Sequence, residues 1–117
     1  MVAMFLTTVN SMIIQIFTFT RPDTSAPWFN DAPEMANFIA AKEAIRTANP
    51  DIMAPAVTTF SDDGLTCTVT QTFPTKEYWR TYSRLVREAT NEMADRNQYF
   101  AAHGHKMTVT MHDTYED

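Results

Sequence analysis

Only two glycines occur in the 117 residues, Gly64 and Gly104, and each stands where the chain has to turn. Glycine enters left-handed backbone at no steric cost, which tight hairpins and helix C-termini require. Gly64 closes Ser61-Asp62-Asp63-Gly64, between an apolar and threonine-containing run that ends at Phe60 and another that begins at Leu65. Gly104 follows a long helical pattern and precedes Met107-Thr108-Val109-Thr110-Met111. The C-terminal half therefore reads strand, turn, strand, helix, stop, strand.

The N-terminal half supplies one more strand and helix. Met12 to Thr20 is rich in β-branched and aromatic residues and apolar on both faces, which suits a central strand. Arg21-Pro22 ends it, and Pro22 and Pro27 stiffen a loop that carries Trp28 and Phe29. Asp31 as N-cap, Pro33 in the first turn and Glu34 three residues after the cap predict a helix start. Met35, Phe38, Ile39 and Ile45 form its apolar stripe, and Asn49-Pro50 stops it.

The second strand is predicted over Ile52 to Phe60, at a sheet edge because Pro55 cannot donate to a ladder. In the third, Leu65, Cys67, Val69 and Phe73 share one face, and Thr66, Thr68, Thr70 and Thr72 the other. Gln71, on the apolar face, reads as the point where the strand leaves the core. A four-residue loop would set Phe60 opposite Leu65, and a bulge at Gly64 would shift that by one. Thr75 is the N-cap expected for a helical pattern from Lys76 to Ala102. That pattern would run about 40 Å, so it either breaks near Thr90-Asn91 or overhangs the sheet. Lys106 to His112 is the last strand.

The order β-α-β-β-α-β predicts an α+β fold of the ferredoxin-like kind. Two helices would cover one face of a four-stranded antiparallel sheet with spatial order 4-1-3-2. Residues 1–11 read as an N-terminal extension, 12–112 as one domain and 113–117 as an acidic tail. The uncovered face, threonine-rich on the third strand yet apolar on the first, suits closure by another copy, so a homo-oligomer is expected.

The net charge of −5 speaks against nucleic acid or an anionic membrane as main partner. Arg80, Arg84 and Arg87 recur at helical spacing, most simply as a solvated helix face. No apolar stretch is long enough to span a membrane. Met1 to Asn10 lacks the basic start of a signal peptide, so export through one is not expected. The single cysteine, Cys67, reads as a small core residue and permits no intrachain disulfide.

His103-Gly104-His105 has the look of a metal motif, but its glycine is explained as a helix stop, and no metal or cofactor site is expected. No catalytic triad, phosphate loop or paired acid stands out, and no catalytic residues are assigned. The surface singled out is the loop with Arg21, Trp28, Phe29 and Asn30, since tryptophan on a stiffened loop makes a good interface anchor. The plainer reading has Trp28 and Phe29 capping the core beneath the first helix.

Three stretches resemble a set of small uncharacterised proteins of marine tailed bacteriophages of the cyanophage type. They are Thr20-Arg21-Pro22-Asp23-Thr24 with Pro27-Trp28-Phe29; Ser61-Asp62-Asp63-Gly64-Leu65-Thr66 followed by Val69-Thr70 and Phe73; and Arg96-Asn97-Gln98-Tyr99 leading to His103-Gly104. The resemblance implies a virus-encoded protein in the host cytoplasm or virion, with a non-catalytic structural or assembly role beside other virion proteins. At the level of architecture the chain is similar to dimeric α/β-barrel proteins, including cofactor-independent monooxygenases. That likeness implies an apolar ligand between sheet and helices, with Trp79, Tyr82 and His103 as candidate pocket residues.

Overall fold

The computed structural model describes residues 12–113. The expected extension 1–11 and the end of the acidic tail lie outside them. Strand β1, Ile13–Thr20, is flanked on both sides, by β3 (Thr66–Phe73) and by β4 (Lys106–Asp113). Its β-branched and aromatic residues on both faces suit that central place. Strand β2, Val57–Phe60, pairs with β3 at the opposite edge from β4. The antiparallel order is β2-β3-β1-β4; counted from the β4 edge, the same neighbours read 4-1-3-2. Three helices accompany the sheet: α1 (Ala36–Ala48), α2 (Lys76–Ala89) and α3 (Glu92–His103). The fold is α+β, with three helices where two were expected.

The third helix arises from a break in the long helical pattern. Thr90 is extended, at φ −141° and ψ 168°. Its hydroxyl donates to the Val86 carbonyl at 2.8 Å and accepts from the Glu92 N–H at 3.3 Å. Threonine thereby competes with the helix for its own backbone groups. The 14 residues of α2 span about 21 Å, which fits the sheet beneath. Its start is as predicted: Thr75 Oγ1 accepts from the Tyr78 N–H at 3.1 Å.

Helix α1 begins later than its sequence pattern suggests. Asp31 caps nothing there; it ends a short 3₁₀ turn, Phe29–Asp31, and a second, Pro33–Met35, leads into the helix. Asn49 ends α1, its side-chain amide donating to the Ile45 carbonyl at 2.9 Å.

The β2–β3 register differs from both expectations. Phe60 faces Cys67, and the Ser61 N–H donates to the Thr66 carbonyl at 2.9 Å, so the loop is Asp62 to Leu65. The cause is Asp63, whose carboxylate accepts from the Leu65 N–H at 3.0 Å and from the Ser61 hydroxyl at 2.7 Å. Those bonds hold a turn one residue further on than the simple hairpin, which moves the partner of Phe60 from Leu65 to Cys67. Strand β2 itself starts after Pro55; Ile52 and Met53 are buried in the connection before it. β4 extends through Asp113, whose carboxylate meets Lys76 Nζ at 3.0 Å.

Both glycines have positive φ, +75° at Gly64 and +72° at Gly104. They border one segment. The Gly64 carbonyl accepts from Arg21 Nε at 2.8 Å, and a Cβ on Gly104 would stand 3.3 Å from Pro22 Cγ. The start of the Arg21–Pro33 loop is thus held between the hairpin and the helix stop.

The interior falls into three clusters. Ile13, Ile52, Met53, Phe73, Tyr82 and Val86 form the first, beneath α2. Phe29, Ala32, Phe38 and Tyr99 form the second, where α1 meets α3. Phe19, Trp28 and Cys67 form the third, on the sheet. All sheet residues in these clusters lie on one face. Ile14, Ile16 and the threonines Thr66, Thr68, Thr70 and Thr72 lie on the other and enter none of the clusters.

Candidate functional site

The first cluster stands apart from the other two, which Phe100 joins. Between them lies a cleft of about 580 Å³, lined by Phe17, Phe19 and Val69 of the sheet, Phe29 of the loop, and Tyr82 and Val86 of α2. Its roof contains the Thr90 break and the first turn of α3. A second hollow of about 570 Å³ opens towards α1 and the Ile52–Ala56 connection. The two share Asn30, Lys42, Val69 and Gln71. A third, of about 110 Å³, adjoins Trp28 and Phe60. The larger two fall within the usual size of small-molecule sites.

Gln71 sits on the cleft floor. Far from leaving the core, its strand continues to Phe73, which is fully buried. Gln71 is 8% exposed, and its amide has no hydrogen-bond partner among the described residues. Gln15 lies opposite it on β1, on the same face. Two side-chain amides thus stand together on an otherwise apolar floor and face the cleft.

Charged groups line the roof and rim. Lys42 Nζ and Arg96 Nη1 approach the same Glu92 oxygen, Oε2, at 3.8 and 3.3 Å. Lys42 also lies 5.0 Å from the centre of the Phe38 ring. Burial pulls the Lys42 ammonium below its ordinary pKa; Glu92 opposes this, and Arg46 and Arg96 add to it. Arg96 Nε is buried without an acceptor among the described residues. Burial raises the Tyr82 phenol, against Arg46, whose Nη1 donates to the Tyr82 oxygen at 3.4 Å.

Of the pocket residues expected from sequence, the structure brings Tyr82 to the cleft. Trp79 packs against the first cluster instead, its indole Nε1 buried without a partner among the described residues. His103 is exposed at the far end of α3, 4.4 Å from the Tyr99 ring centre. The three do not converge: Tyr82 sits in the middle of α2 and His103 at the far end of α3. His105 is buried among Trp28, Tyr99 and Phe100, and that burial, with His103 and Arg21 nearby, lowers its pKa. Among the described residues no group of three His, Cys, Asp or Glu side chains is placed to hold a metal ion.

The loop residues expected at an interface turn largely inward. Trp28 is 9% exposed and Phe29 3%. Arg21 stacks on Trp28, its guanidinium carbon 4.2 Å from the ring centre, and donates to the Ala26 carbonyl at 2.9 Å. Asn30 stays exposed and lines all three hollows. Cys67 is a buried thiol in the third cluster, its pKa raised by burial. Arg80, Arg84 and Arg87 are exposed on α2, and Arg87 reaches the cleft. Lys42, Glu92, Arg96 and Gln71 were not singled out as site residues. Gln71, a lone amide in the apolar row of a clean strand, was the available signal.

No helix among the described residues is long and apolar enough to cross a membrane. No protein-family model and no curated protein matches the chain. Similar solved structures include a conserved Bacteroides thetaiotaomicron protein of unknown function, described as a possible oxidoreductase, at 14% identity and TM-score 0.47 over 89% of this chain and 98% of that one. A hydroxynitrile lyase from Passiflora edulis has 15% identity and TM-score 0.47, over 90% and 95% of the two chains. An amidase of the hydantoinase/carbamoylase family from Burkholderia ambifaria has 15% identity and TM-score 0.44, over 90% of this chain and 29% of the amidase. All three likenesses lie below a TM-score of 0.5, and none passes its chemistry to this chain.

Proposed function

We propose that the chain is a ferredoxin-like domain that binds a small organic ligand between its sheet and helices, and associates with itself through the open sheet face. The observation that carries the binding reading is the cleft of about 580 Å³ with the amide side chains of Gln71 and Gln15 on its otherwise apolar floor. A chain selected only to pack would fill such a space and put apolar side chains at those positions. A ligand with a donor or acceptor would answer the amides while its apolar body covers Phe17 and Val86. Support for self-association comes from Ile14 and Ile16 on the face that enters no core cluster.

The open face equally supports a second reading, a non-catalytic oligomerising component such as part of a phage particle, which needs no ligand. Thermal denaturation of the full chain against a panel of aromatic acids, amides and alcohols separates the two. A ligand at a hundred times its Kd raises stability by about 2.7 kcal/mol. Resonance shifts confined to Gln15, Phe17, Gln71 and Tyr82 would locate it. A panel with no stabilising member and no cleft shifts, together with stable oligomers in sedimentation, would leave the structural reading.

A further inference from the structure

The charge in the cleft is lopsided. Lys42, Arg87 and Arg96 line it against a single carboxylate, Glu92. The adjoining hollow adds Arg46 and no acidic side chain. The Lys42 and Arg96 side chains are each 15% exposed and Glu92 25%, so these three charges are poorly hydrated. One carboxylate oxygen shared by two half-buried cations leaves a positive charge uncompensated. The 3.8 Å from Lys42 Nζ to Glu92 is long for a charge-assisted hydrogen bond, so the ammonium is weakly held. Arg96 donates to Glu92 through Nη1, and its buried Nε has no acceptor among the described residues. Phe17 and Phe29 supply an aromatic wall to the same cleft, and Gln71 a buried amide able to donate or accept.

Together with the binding reading, on which this rests, we infer that the ligand is a small aromatic carboxylate. Lys42 and Arg96 hold its carboxylate and the Phe17–Phe29 wall its ring. Glu92 holds the two cations in place while the site is empty and competes with the ligand for them.

The test uses the full chain and two probes of one shape: 2-naphthoate and its neutral amide, 2-naphthamide, titrated by calorimetry. The acid is expected to bind about tenfold or more tighter than the amide, as befits hydrogen bonds to charged groups. Lys42→Met and Arg96→Met should each weaken the acid by about tenfold and leave the amide within about twofold. Glu92→Gln should strengthen the acid. This last variant protects the test, since a misfolded protein does not gain affinity. Equal binding of acid and amide would overturn the anion assignment and leave the binding reading standing. Binding of neither would overturn the aromatic-carboxylate assignment, and the binding reading would then fall only if the wider panel also held no stabilising member. A Glu92→Gln variant with unchanged or weaker affinity for the acid would refute the competition on which the inference depends.

Discussion

Replacing Gln71 by leucine should make the protein more stable and less able to bind. The side chain is 8% exposed, flanked along its face by Val69 and the fully buried Phe73, and its amide has no partner among the described residues. A buried amide without a hydrogen bond costs about 1–3 kcal/mol. Gln71 borders the cleft, where solvent can meet part of its demand, so the lower end applies, about 1 kcal/mol. Leucine is close in volume and returns apolar surface to the floor. For a domain of this size the gain is about 5 °C in Tm. Differential scanning calorimetry of both proteins at the same concentration reads the change, and a naphthoate titration reads the loss of binding. A variant destabilised by about 1 kcal/mol or more would show that the amide makes a bond that holds the fold. The case for a ligand would lose its principal support.

Trp28→Ala should destabilise by about 3–5 kcal/mol, since it opens the third cluster and strips the ring from under Arg21; chemical denaturation measures it, and self-association should persist in whatever fraction stays folded. Gly104→Ala should cost about 1–2 kcal/mol, because φ is +72° and the new methyl carbon meets Pro22 at 3.3 Å; a Tm unchanged from the parent would contradict that geometry. The lowered pKa of His105 gives a pH dependence with a definite sign. Below its ordinary 6.5 the unfolded chain takes up the proton before the folded one, so stability is full above that pH and declines as pH falls towards the folded pKa. His105→Asn should flatten this slope in denaturant melts between about pH 5 and 7; a slope unchanged by the substitution would remove His105 as its source.

Much of the architecture was legible because it rests on local rules. The alternation of Cys67, Val69 and Phe73, the Thr75 cap, the helix stop at Gly104 and the edge position of β2 all follow from chemistry within a few residues, although β2 begins after Pro55 and Leu65 belongs to the turn. The failures share a different cause. The hairpin register was decided by Asp63 bonding to Leu65 and Ser61, a competition among equally plausible turns. Asp31 lost its cap role to two 3₁₀ turns set by the packing of Phe29. The site was hardest to see because its parts come from β1, β3, α1 and α3, and only the tertiary fold sets Lys42 beside Glu92. Loop tryptophans are ambiguous in sequence, and here Trp28 found its partners in Phe19 and Cys67.

The way the interior divides into packed clusters has an evolutionary consequence. Tyr82 and Val86 stand on one, Phe29 on the second, Phe19 on the third. Substitutions on the α2 wall need be accommodated only by the first cluster, whereas Phe29 and Phe19 are coupled through Phe100, which packs against both. A lineage could therefore alter the α2 wall in small steps of its own, while the two aromatic walls have to change together.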